Sequence, residues 1–167
     1  MINSISQFEE IWKNESEATL KVLKQLTDAS LAKAVEPQGR TLGRLAWHLG
    51  LSIPEMMNRT GLHISEPKED APVPSTAREI CAAYEHASNA LLQQAKTKWN
   101  DASLQTTDEM YGERWTKAST LQALIFHQIH HRAQMTVLMR QAGLKVPGVY
   151  GPSREEWGAI GMQPPKI

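Results

Sequence analysis

The sequence predicts an all-α fold, a four-helix bundle, and two observations carry that expectation. Four segments place apolar residues at the 3.6-residue period of a helix, and stretches that alternate like a half-buried strand are scarce. No internal repeat or low-complexity region interrupts them. The 167 residues suit a single domain spanning 1–167, long enough to bury a core without metal or disulfide staples. A metal ion held by such a chain would serve chemistry more than folding.

The first helix is expected from Ser6, where Ser6 and Glu9 stand at capping-box spacing, to about Thr27. Its apolar positions are Phe8, Ile11, Trp12, Leu20, Leu23 and Leu26. A connector over 28–40, broken by Pro37 and Gly39, leads to a second helix with Thr41 as its N-cap. That helix extends to about Asn58 along the stripe Leu42, Leu45, Leu49, Ile53 and Met56, and Pro54 within it predicts a kink or an early end. The stretch GLHISEPKEDAPVPS, from Gly61 to Ser75, has three prolines and no periodicity, so it reads as a long connection crossing the end of the bundle.

Thr76 and Glu79 form a second capping box, opening a third helix that reaches about Trp99 and buries Ile80, Tyr84, Ala87, Leu91 and Ala95. A polar loop containing Tyr111, Gly112 and Trp115 follows, and the fourth helix is expected from Ser119 or Thr120 to a stop at Gly143. The last 24 residues, LKVPGVYGPSREEWGAIGMQPPKI, are too rich in Gly and Pro for a long helix and make an irregular tail.

Composition narrows the function. Lys plus Arg and Asp plus Glu both total 18, so nothing electrostatic points to nucleic acid or a membrane surface, and a small-molecule substrate remains. No stretch approaches the roughly 20 apolar residues that cross a bilayer, and no signal sequence is visible, so the cytoplasm is the expected location. Cys81, the one cysteine, has no internal disulfide partner and reads as a small buried helix residue, with a reactive thiol as the alternative. The GxSxG elbow, phosphate loop and dinucleotide fingerprint are all absent.

The histidines carry the chemistry. His127 and His131 in LIFHQIHHRAQ lie one helical turn apart and share a face, so they chelate one divalent ion if a third ligand arrives from a neighbouring helix. His48, alone in LGRLAWHLGL, is the candidate for that third ligand. On helical wheels both the pair and His48 fall at the edge of an apolar arc, positions from which they could face one cavity. Each alone has an ordinary alternative, a hydrogen-bonded or half-exposed histidine, and only the third partner gives the pair meaning. His130 lies off the chelating face, and His63 and His86 read as surface residues.

The lone His in LAWHLG, the HQIHHRAQ segment with its Arg-x-Gln, and the GVYGPSREEW tail together resemble the DinB family, also called DinB/YfiT-like, over nearly the whole chain. The resemblance implies a four-helix bundle with a three-histidine metal site, carried over to His48, His127 and His131, and a homodimer. It departs at Ala133, which stands where the family commonly has Gly, and a methyl group there would narrow helix packing.

Three neutral imidazoles leave an ion its double charge and at least one open position, an arrangement suited to catalysis. Imidazole suits zinc, nickel, copper and iron, and the ligand type does not choose among them; zinc or nickel is the expected ion, with iron or copper as alternatives. Such a site lowers the pKa of bound water or holds a thiol as thiolate. Glu55 on the histidine face is a candidate base, fourth ligand or solvated carboxylate, while Gln134 and Arg44 could orient bound groups or pair with a substrate anion. Three functions follow. One is transfer of a low-molecular-weight thiol, such as bacillithiol or mycothiol, to which the resemblance points; the second is hydrolysis by ion-activated water; the third is non-enzymatic, stress-associated binding of metal or a small molecule.

Overall fold

A computed structural model describes residues 2–65, 67 and 71–166 of the chain. Its architecture is four helices, α1 (Ile5–Leu23), α2 (Leu42–Met57), α3 (Ala77–Lys98) and α4 (Lys117–Gln141), with a short hairpin of β1 (Thr107–Met110) and β2 (Glu113–Thr116) before α4. Around the bundle the order is α1, α3, α2, α4, so α1 faces α2 across a diagonal.

Cross-contacts fix the helix directions. Trp12 Nε1 donates to the Ser88 carbonyl at 3.2 Å and the Ile5 amide to Asp101 Oδ1 at 2.8 Å, so α1 and α3 are antiparallel. The Ala77 amide reaches Asp28 Oδ1 at 2.8 Å at the end where Gly43 packs on Leu31, so α2 and α3 start together and are parallel. Parallel neighbours require the connection after α2 to travel the whole helix length, about 24 Å for 16 residues, instead of crossing the bundle end as the sequence suggested. Leu62 and Ile64 pin that return by burying against the core, and the Ile64 amide donates to Asn58 Oδ1. Glu66, Lys68, Glu69 and Asp70 of this connection lie outside the described residues.

Thr41 caps α2 and Thr76 caps α3, each hydroxyl accepting the amide three residues on, as the sequence predicts. The α1 cap is Ser4 instead of Ser6: Ser4 Oγ accepts the Gln7 amide, and Gln7 Oε1 reaches back to the Asn3 amide. Pro54 does not end α2 early, because the helix persists to Met57 and closes in a 3₁₀ turn at Asn58–Thr60, with Gly61 at φ 84°. All five expected α3 residues, Ile80, Tyr84, Ala87, Leu91 and Ala95, are buried, whereas Cys81 is only half-buried. Gly143 ends α4 at φ 75° as expected, but α4 begins at Lys117, capped by Thr116.

The hairpin corrects the expectation of a plain loop over these residues. Tyr111 at φ 54° and Gly112 at φ 85° make the two-residue turn whose twist matches paired strands. Its strands are polar and four residues long, so no alternation advertises them; buried Met110 anchors the ribbon.

The irregular tail is held by charge. Arg132 on α4 is buried, donating to the Glu15 carboxylate at 2.6 Å and to the Tyr150 hydroxyl, while that hydroxyl donates to Glu15 at 2.8 Å. Lys21 donates to the Gly148 carbonyl at 2.9 Å, and Arg140 pairs with Glu155. The core itself is one continuous cluster fed by all four helices.

Candidate metal centre and its cleft

His48 comes from the middle of α2 and His127 and His131 from successive turns of α4, and the antiparallel contact of these helices brings the three together. Their candidate ligand atoms all lie within 4.8 Å of one another, and His48 Nε2 stands 3.1 Å from His127 Nε2. Two nitrogens on one tetrahedral zinc are separated by about 3.3 Å, from bond lengths near 2.0–2.1 Å. The donor set therefore fits a divalent ion. No other cluster of three or more potential ligands occurs among the described residues.

The protonation state suits the same use. Burial, and then the facing imidazoles and the charges of Arg40 and Arg44, push His48 down to about 4. His127 is pushed to about 4 by burial and then by His131, His130 and Arg40. Burial also lowers His131, against the opposing hydrogen bond from Gln134. Near neutral pH these rings are uncharged, with lone pairs to give.

Neighbours fix the rings. Gln134 Oε1 accepts from His131 Nδ1 at 2.7 Å, which puts the proton on Nδ1 and frees Nε2 as a ligand. The same amide donates to His130 Nε2 at 3.1 Å, so His130 is exposed and one step outward, where the helical wheel puts it. Beside His127, buried Gln128 donates to the Leu49 carbonyl at 2.9 Å and to Ser52 Oγ at 3.1 Å, clamping α4 onto the His48 helix. Ala133 is exposed, so its methyl group does not narrow a helix contact.

The remaining candidates separate. Glu55 is exposed and accepts the Tyr111 hydroxyl at 2.8 Å, while the Arg59 guanidinium lies 5.1 Å from the Tyr111 ring centre; burial and the Glu55 bond raise that phenol to about 12. Glu55 thus anchors the hairpin and is not part of the histidine cluster. Arg44 is exposed, outside the cleft that opens beside His131. His63 and His86 are exposed.

That cleft has a volume of about 530 Å³ and is lined by apolar Val35, Leu45, Val137 and Leu138 and by polar Glu36, Arg40, His131 and Gln134. Sequence reasoning missed Arg40 and Gln128. Arg40 sits in an aperiodic connector, and Gln128 is a polar residue at a buried position, so neither had a signal of its own.

Comparisons with known proteins agree over the whole chain. A sequence model of the DinB family matches residues 1–165. A Bacillus subtilis relative, described only as the uncharacterized protein YrdA, is 46% identical over 167 residues, covering 100% of both chains. The crystal structure of a DinB-like protein from Bacillus cereus superposes with a TM-score of 0.87 at 43% identity, covering 90% of this chain and 100% of that one. A second DinB-like protein, from Bacillus subtilis, shares the fold with a TM-score of 0.69 at 15% identity over 86% of this chain and 97% of that one.

Proposed function

This chain belongs to the DinB family, and on that premise we propose that it is a metal-dependent enzyme that activates a low-molecular-weight thiol for transfer to an electrophile. His48, His127 and His131 are the ligands in this reading, and zinc or nickel is the ion. The observation that carries it is three uncharged imidazoles converging beside a cleft of small-molecule size. The ion, when bound, stabilises a thiolate and so makes the sulfur nucleophilic near neutral pH. The chain's own residues do the rest. Gln134 orients His131, Gln128 holds the two ligand helices in register, and the apolar wall of the cleft keeps water from one side of the bound molecule.

Hydrolysis is the second reading, favoured by one observation: Glu36 is the only carboxylate among the described residues that line the same cleft. Thiol transfer is preferred because Glu55, the base the sequence offered, is taken by Tyr111. Incubation with a small thiol and chlorodinitrobenzene tests this: sulfur bonds to the ring carbon, chloride leaves, and the thiol proton goes to solvent. Thiol-dependent product that disappears in His127→Ala supports the proposal. Cleavage of a nitrophenyl ester that is lost in Glu36→Gln, without thiol transfer, supports hydrolysis, and neither activity with metal retained favours a binding protein. A homodimer, implied by the family resemblance, and a cytoplasmic location belong to the same reading; among the described residues no helix is long and apolar enough to cross a membrane. Sedimentation giving twice the chain mass would support the dimer.

A further inference from the structure

The cleft beside His131 is chemically two-sided. Its apolar wall includes Val35 and Val137, which stand 69% and 55% exposed, surface that a bound hydrocarbon would cover. Its polar side holds Arg40, whose guanidinium makes no ion pair or side-chain hydrogen bond among the described residues. Arg114, Arg132 and Arg140 are engaged, and Arg44, equally without a side-chain partner among the described residues, does not line the cleft. Glu36 lines the same cleft but is not within ion-pair distance of Arg40, so the guanidinium remains available. Arg40 also lies close enough to act electrostatically on all three imidazoles. An arginine fork free to face a partly apolar cleft matches the planar geometry of a carboxylate, which it can bind through two parallel hydrogen bonds.

We propose that Arg40 determines specificity in this cleft by pairing with the carboxylate of an amphipathic organic acid, whose apolar arm lies along Val35, Leu45, Val137 and Leu138. The far end of that molecule meets the three-histidine site, and this rests on the thiol-activating reading only in giving that end a sulfur. The wall sets the preference for a hydrocarbon linker over a strongly hydrated one. Arg40, and not Arg44, is the arginine that recognises the substrate's charge.

Four probes separate the two ideas: mercaptohexanoate, mercaptohexanol, hexanoate and hexanol, each titrated calorimetrically into the untagged protein as purified, with metal content measured alongside. In the wild type, at low ionic strength, each carboxylate is expected to bind about tenfold more tightly than its alcohol, the scale of a charged hydrogen bond. Arg40→Gln should abolish that preference while leaving alcohol affinity and metal content unchanged, and Arg44→Gln should preserve it. Added salt should shrink the preference, because the pair is exposed at the cleft mouth. Equal binding of acid and alcohol by the wild type, or a preference that survives Arg40→Gln, would overturn the assignment. If the thiols bind no better than hexanoate and hexanol, thiol activation fails, and Arg40 is judged on hexanoate against hexanol alone.

Discussion

His48 and His127 are held in the neutral form at a cost that pH exposes. Burial lowers both to about 4, whereas in the unfolded chain they titrate near the usual 6.5. Well above 6.5 both states carry neutral rings and the shifts contribute nothing; as pH falls through 6.5 toward 4, the unfolded chain takes up protons first and stability drops. Metal-free wild type should therefore lose more of its urea midpoint between about pH 7 and pH 4.5 than a His48→Gln, His127→Gln double variant, and equal losses would contradict the burial argument. Gln134→Leu removes the acceptor that sets the His131 tautomer, and we expect metal affinity to weaken by about 10–100-fold with helical content unchanged by circular dichroism. The clustering of His48, His127 and His131 was legible because helical spacing and an apolar edge are local properties of sequence. The hydrogen bonds of Gln128 and Gln134 follow from side-chain direction, which spacing does not specify.

The elements divide in the same way. Capping chemistry made Thr41 and Thr76 readable, but near the N-terminus two serines compete, and Ser4 prevails with Gln7 closing the turn. The hairpin was unreadable because its strands bury one residue well, Met110, and its turn uses Tyr-Gly where Asn-Gly is the strong signal. Helices α2 and α3 approach closely at Gly50, where an added Cβ would sit 3.6 Å from the Tyr84 Cα. That is ordinary contact, so Gly50→Ala should be tolerated and gain up to about 1 kcal/mol of helix propensity. Gly50→Ile should instead cost about 1–3 kcal/mol by forcing the helices apart, read from urea unfolding. Equal stability of the two variants would show that this contact does not limit α2–α3 packing.

For the whole molecule, the arrangement that matters is antiparallel α2 and α4, which presents His48 to the α4 pair, with α1 and the tail bracing α4 from behind. The sequence showed four helices and a long connection, but not that α2 and α3 are parallel, because direction is fixed by distant contacts such as Asp28 with Ala77. Nor could it show Arg132 as the centre of a clamp joining Glu15 and Tyr150, since both partners lie more than 15 residues away. Glu15→Ala leaves the buried Arg132 charge without its carboxylate and should cost about 3–5 kcal/mol in urea unfolding, whereas Tyr150→Phe should cost about 1. A Glu15→Ala loss below about 1 kcal/mol would mean that the clamp is open to water in solution. Whether the three histidines bind an ion is decided by elemental analysis of untagged protein beside His48→Ala, His127→Ala, His131→Ala and His130→Ala. We expect about one zinc or nickel per chain, lost in the first three variants and kept in His130→Ala, with all four folded. No ion after reconstitution, or full metal in any of the first three, would contradict it.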